Sequence, residues 1–205
     1  MSGTDSTLRL IELTSATLCH DISGLVGSLG DAVSASVDGP ARTLKLEKTA
    51  LDMLTMRLAL RAAAWGPEGE PLTRAHMLSL GRGLLEHVMV DASALEQGIV
   101  FPAAAGRIVL NLLLLAADSL PYGGTVIVAG APDDLFIRIA GPTAAWPPGM
   151  AVCLANETEA RFALNEWRDP QMALTALLAH NAGIRLSVLL SPTAQNEPAI
   201  LRLGG

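Results

Sequence analysis

One histidine and its neighbours offer the chain's most legible chemistry. His20 and Asp21 stand in Leu18-Cys19-His20-Asp21-Ile22-Ser23-Gly24-Leu25-Val26-Gly27-Ser28-Leu29-Gly30. A neutral imidazole nitrogen is a competent nucleophile near pH 7. Cys19, His20 and Asp21 do not form a triad or a metal site, because consecutive helix residues diverge whereas ligands converge at i, i+4-like spacing. His76, His87 and His180 lack partner spacing and read as ordinary residues. The chemistry therefore rests on how His20 is presented.

The segment reads as helix. Leu18, Ile22, Leu25 and Leu29 recur at 4, 3, 4, a heptad seam. His20 then lies about 180° from that seam, on the outer face. Its neighbours there are Ala16, Ser23, Gly24, Gly27 and Asp31, nearly all small. A mid-helix glycine costs about 1 kcal/mol relative to alanine, and at such a position it lets another surface come close. An imidazole on a flat face of small side chains is reachable by a docking protein.

The elements that hold His20 follow from periodicity. Residues 7–37 read as one long helix, and Asp38-Gly39-Pro40 as the turn that ends it. A second helix is predicted from about Thr43 to Trp65, with Leu44, Leu51, Leu54, Leu58 and Trp65 as its stripe. Two long helices joined by a short turn make an antiparallel hairpin. A hairpin alone buries too little, so a second copy is expected to complete a four-helix bundle across a two-fold axis. Arg57 and Arg61, four apart, and Lys45 and Lys48 read either as a solvated face or as sites facing an acidic partner or a phosphate.

Gly66-Pro67-Glu68-Gly69-Glu70-Pro71 reads as a linker, dividing the chain into residues 1–66 and 72–205. The second part alternates helix and strand. Helices are predicted over 73–86 with Thr73 as cap, over 102–119 and over 170–181. Strands are predicted over 87–91, 125–129, 135–140, 150–155, 184–190 and 199–203. Ala131-Pro132-Asp133-Asp134 reads as a hairpin turn, and helices on one face of a mixed sheet give an α/β sandwich. The fold class is thus α+β.

Composition narrows the function. The 205 residues are 50% apolar and only 3% aromatic, which favours aliphatic helix seams. The net charge is −6 and no basic run or nucleic-acid motif occurs, arguing against DNA or RNA as partner. Two cysteines cannot make a disulfide framework. The first residues lack a signal-peptide pattern, and no apolar run reaches the ~18 residues of a membrane span. The expectation is a soluble, cytoplasmic protein.

This order of parts resembles the body of a sensor histidine kinase. The stretch from Arg107 to Gly124 looks like the N-box region of the kinase ATP-binding (Bergerat) fold, with Asn111 and Gly123-Gly124 matching. The second N-box Asn, which holds the nucleotide's Mg²⁺ in kinases, is Leu115 here, and the Lys position is Asp118. The Asp-x-Gly-x-Gly motif is replaced by Gly141-Pro142-Thr143-Ala144-Ala145, and the glycine-rich phosphate-covering segment by Asp169-Pro170-Gln171-Met172-Ala173-Leu174. The step Ala182-Gly183-Ile184-Arg185-Leu186 keeps the look of the fold. A kept fold with lost kinase motifs is similar to the ChpT-type bacterial histidine phosphotransferases, and the resemblance covers nearly the whole chain. Its most specific part is Leu18-Cys19-His20-Asp21 with Val26-Gly27; Gly24-Leu25 stands where the family commonly has Ser-Pro, and an Asn-Gly is replaced near Gly30-Asp31.

The resemblance implies a homodimer with a degenerate ATP-binding domain and no ATP or metal of its own; Mg²⁺ resides on the partner receiver. It implies relay of a phosphoryl group through His20, from a hybrid-kinase receiver to response regulators including a CtrA-type one. Asp21 would orient the ring or handle a proton, or simply face solvent. Ala16, Ser23, Gly24, Gly27, Asp31, Arg57 and Arg61 would dock the partner. A different reading is a dimeric adaptor of kinase descent that binds receivers without accepting phosphate. An active ATP-dependent kinase is disfavoured by Leu115 and the missing Asp.

Overall fold

The computed structural model describes residues 10–11, 14–20, 22–24, 26–27, 40–166, 170–189 and 198–204. The described residues between 10 and 27 are all helical and form α1. Leu25, Leu29 and the turn read at 38–39 lie outside the described residues. The second helix, α2, spans Pro40–Trp65. It begins three residues before Thr43, because a proline fits the first helical position, where its missing N–H is no loss.

α2 carries two apolar faces. Leu51, Leu54 and Leu58 share one side at helical spacing. Met53, Met56, Leu60 and Ala64 lie about 150° away. Leu60 and Ala64 are fully buried in the core of the following α/β layer. Leu51, on the other face, is 54% exposed. Leu10 of α1 also packs against that core. The last two turns of α2 are thus part of the sandwich as well as of the hairpin, and residues 66–71 form an irregular connection after them.

The sandwich continues with β1 (Leu72–Thr73), α3 (Arg74–Gly81), β2 (Val88–Asp91), β3 (Val100–Phe101), α4 (Ala103–Asp118), β4 (Gly124–Ala131) and β5 (Asp134–Ala140). Then come α5 (Met150–Ala155), α6 (Glu157–Glu166), α7 (Gln171–Ala182), β6 (Arg185–Leu189) and β7 (Ile200–Gly204). The main sheet has the order β2-β4-β5-β7-β6, with β2 parallel to β4 and the remaining pairs antiparallel. β1 and β3 form a small separate ladder that periodicity did not foresee, being two residues each.

Alternation makes the sheet one-faced. Val126, Val128, Leu135, Ile137, Ile139, Leu201 and Leu203 are buried beneath the helices. The opposite face carries Phe136, Arg138 and Arg202; Arg202 lies over the Phe136 ring at 5.8 Å and donates to Asp134 at 2.6 Å. α4 is apolar all round, with Ile108 to Ala117 buried, as a helix sandwiched between sheet and helices must be.

Two predicted elements differ and one helix was not predicted. Residues 150–155 are helix, not strand: Met150, Cys153 and Leu154 are buried at i, i+3, i+4, a helical period. The helix capped by Thr73, whose hydroxyl accepts from His76 N at 3.2 Å, stops at Gly81 rather than Glu86. There Gly83 presses on α2 so closely that a Cβ would overlap the Met56 carbonyl, and a straight helix could not turn into that contact. α6 was not foreseen. The hairpin at Pro132-Asp133, with Ala131 opposite Asp134, is as read.

Candidate functional site

His20 is helical and exposed, as are Ala16, Ser23, Gly24 and Gly27, while Leu18 and Ile22 are half-buried. A Cβ added at Gly24 or Gly27 would meet open space, so among the described residues nothing packs against those two positions. Asp21 and Asp31 lie outside the described residues. Cys19, beside His20, is exposed.

Arg57 and Arg61 do not lie on an open face. Arg61 is half-buried, its guanidinium 5.4 Å from the centre of the Trp65 ring. Arg57 lines a cleft of about 280 Å³ between α2 and the 82–86 connection of the sandwich. His76 and His87 are exposed, and His180 Nε2 lies 3.0 Å from the Cys153 carbonyl. Among the described residues no three His, Cys, Asp or Glu side chains gather as metal ligands.

The N-box-like residues occupy different surroundings from those the kinase resemblance suggests. Asn111 is fully buried. Its amide donates to the Ala64 carbonyl at 2.7 Å and to the Arg107 carbonyl at 2.9 Å. Its Oδ1 accepts from Gln171 Nε2 at 2.9 Å. Gln171 Oε1 in turn accepts from the Trp65 indole at 3.2 Å. Arg107 donates to the carbonyls of Ala64 and Trp65 at 3.3 and 3.2 Å. The last carbonyls of α2 lack intrahelical donors, and here α4 supplies them. The result is a buried latch joining the end of α2, α4 and the start of α7. Leu115, at the place of the kinase metal-ligating Asn, is 1% exposed within the aliphatic core.

Sequence reasoning read Asn111 as a relic of a nucleotide motif and missed its partner Gln171. A signal was present: a single Asn inside the run Ile108 to Ala117 must be buried, and a buried amide requires partners. Cys153 is buried as well, and burial, with the Glu159 charge second, raises its thiol pKa above the usual range.

No helix among the described residues is long and apolar enough to cross a membrane. The fold matches that of a bacterial phosphotransferase with a TM-score of 0.65 and 21% identity, over 99% of this chain and 97% of that one. A mycobacterial sensor histidine kinase, MprB, aligns with a TM-score of 0.44 and 19% identity, over 65% of this chain and 94% of that one. No curated protein matches the chain. Residues 81–194 match the histidine phosphotransferase C-terminal domain family, in agreement with the ChpT-type resemblance. Because that match spans more than half of its 205 residues, the chain belongs to the histidine phosphotransferase C-terminal domain family, and its role is phosphotransfer in a phosphorelay.

Proposed function

We propose that His20 is the phosphoacceptor, taking a phosphoryl group from the receiver aspartate of a hybrid histidine kinase and passing it to response-regulator aspartates, a CtrA-type regulator among them. The observation that carries this reading is the presentation of His20: an exposed helical imidazole among exposed small residues, in a chain of this family.

The transfer needs little machinery. An imidazole nitrogen lone pair attacks the phosphorus of the receiver's aspartyl phosphate. The P–N bond forms as the P–O bond to the aspartate breaks, and the carboxylate leaves with the electron pair. The ring's other nitrogen keeps its proton until water or Asp21 accepts it. Delivery to a regulator runs the same step backwards. Receivers carry their own Mg²⁺, so this chain positions rather than activates. Ser23, Gly24 and Gly27 form the floor on which a receiver settles, with Ala16 and Asp31 at its ends and Arg57 and Arg61 on the neighbouring helix.

ATP plays no part in this reading. The place of the metal-ligating Asn is an aliphatic side chain sealed in the core, Asn111 is engaged by Gln171 and Ala64, and the adenine-binding Asp is missing. A homodimer completes the bundle. Ile11 and Leu51 lie on the seam faces of α1 and α2 yet are 55% and 54% exposed in one chain, which leaves room for a second copy.

The test is a three-component relay with a labelled hybrid-kinase receiver, this chain and a regulator receiver. Label should reach the regulator only when the chain is added. Equal transfer without the chain, or none from any receiver that binds it, would sink the reading.

A further inference from the structure

The second apolar stripe of α2 runs on past the part that the sandwich covers. Leu60 and Ala64 are buried in the sandwich core. Met56 and Met53, one and two turns nearer the start of the helix, are half-buried and border the cleft of about 280 Å³ beside the 82–86 connection. The four recur at intervals of 3, 4 and 4, so successive turns offer similar apolar steps. Gly83 meets the backbone of α2 at the Met56 carbonyl, a contact that any turn of a helix supplies. Apolar burial and this backbone contact therefore do not choose which turn of α2 sits in the sandwich.

The latch does choose. Only the last carbonyls of a helix lack an intrahelical donor. Asn111 and Arg107 donate to the Ala64 carbonyl, and Arg107 also to that of Trp65. Trp65, the one tryptophan of α2, donates its indole N–H to Gln171, which in turn donates to Asn111. No earlier turn of α2 presents these groups. A slip of one turn, about 5.4 Å, would leave the buried amides of Asn111 and Gln171 without these partners, a large cost for polar groups. Fixing register where apolar contacts are degenerate is the best-attested use of a buried polar network.

A slip has a single direction. α2 ends at Trp65, so the stripe continues only toward Met53. His20 lies that way: Leu10 of α1 packs against the same core as Leu60 and Ala64, and His20 is ten residues, about 15 Å, further along α1. Packed helices do move past one another by single turns. One such step would carry a sandwich about 35 Å across about a third of the way to His20. We propose that Asn111, Gln171 and Trp65 are positioning residues for phosphotransfer: they fix the register of the sandwich on the hairpin and keep it clear of the space a receiver needs at His20. The inference rests on the phosphorelay reading above. It gives the residues at the places of the N-box and the phosphate-covering segment a part in the relay that needs no nucleotide.

The experiment measures the distance between spin labels on Cys19 and on Arg138→Cys, both exposed positions, in the full chain. The labelled chain carries Cys153→Ala and is diluted into unlabelled chain. The latched chain should give one narrow distance. Asn111→Leu/Gln171→Leu, which replaces both amides with apolar groups of similar shape, should add a second distance, changed by up to about 5 Å. In the three-component relay, with both native cysteines, the same pair should raise the KM for the phosphorylated donor receiver about 5-fold and leave kcat within about 2-fold. That is the result when only about a fifth of the molecules hold the competent register. Trp65→Phe removes one donor and keeps the ring; it should move both readings the same way by less, and it covers the case where the pair does not fold. Leu201→Ala, a core cavity in β7, should lower the melting temperature without moving either reading. A single unchanged distance in the latch variants overturns the proposal. So does a second distance with unchanged KM, a loss confined to kcat, or an equal KM rise with Leu201→Ala, which would mean stability alone. The distances are read without transfer, so the two claims fail separately. No label on His20 with the second distance present removes the relay reading, whereas an intact relay with a single distance removes the register role.

Discussion

The hairpin and the sandwich treat their apolar and polar groups in opposite ways. In the sandwich the apolar groups of α4 and the central strands are sealed, and the buried amides of Asn111 and Gln171 are satisfied. On the hairpin, Ile11, Val26 and Leu51 are more than half exposed, and the face around His20 is small and open. A sealed region is complete within one chain. A region with open seams and an open face is what the proposed reading needs, a second copy along the seam and a receiver over the face. The residues at the places of the resembled nucleotide motif lie in the sealed half, where Leu115 fills the core and Asn111 holds the end of α2.

Leu115→Asn would break the sealed half most severely. It puts an amide without partners into an aliphatic core and removes a packed side chain, so it should cost about 4 kcal/mol in denaturant unfolding. A loss below about 1 kcal/mol would mean the site is more open than described, and nucleotide binding by the variant would restore the kinase reading. Asn111→Leu is nearly isosteric but strips the latch, leaving Gln171 and the Ala64 carbonyl short of a partner. The expected loss is about 3 kcal/mol, with faster amide exchange in the last turn of α2; unchanged exchange there would contradict the latch.

Leu51→Glu probes the open half. It should leave unfolding of the sandwich within about 0.5 kcal/mol of wild type while halving the mass in sedimentation. A persistent dimer would place the interface elsewhere. The smallest effect concerns Cys153. Its thiol pKa is raised in the folded chain, so the folded state holds the proton more tightly than the unfolded one. Its contribution to stability is full below the ordinary thiol pKa and is lost as pH rises through and above it. Cys153→Ser should flatten that alkaline decline, and Cys19, being exposed, should alkylate first at pH 8.

What the sequence disclosed follows the same division. The exposure of His20, Ala16, Ser23, Gly24 and Gly27 was legible because a seam of period 3.5 fixes the opposite face. The strands β4 and β5 were legible from alternation and a turn signature, and α4 and α7 from length and apolarity. The short ladder of β1 and β3 was too brief to show a period. Residues 150–155 misled because an apolar run of six fits a buried strand as well as a buried helix, and only contact with α7 and β6 decides. Leu60 and Ala64 were hidden behind the stronger Leu51-Leu54-Leu58 stripe, since a helix with two apolar faces shows a single stripe poorly. The structural role of Asn111 was not legible because its partners, Ala64 and Gln171, are 47 and 60 residues away.

The central claim is that His20 itself carries the phosphoryl group. The most direct measurement incubates purified wild type and His20→Ala with a phosphorylated hybrid-kinase receiver and follows acid-labile label on the chain. The account predicts label on the wild type and none on the variant. Label on both, or on neither across receivers that bind, would contradict it; the second result would leave a receiver-binding adaptor.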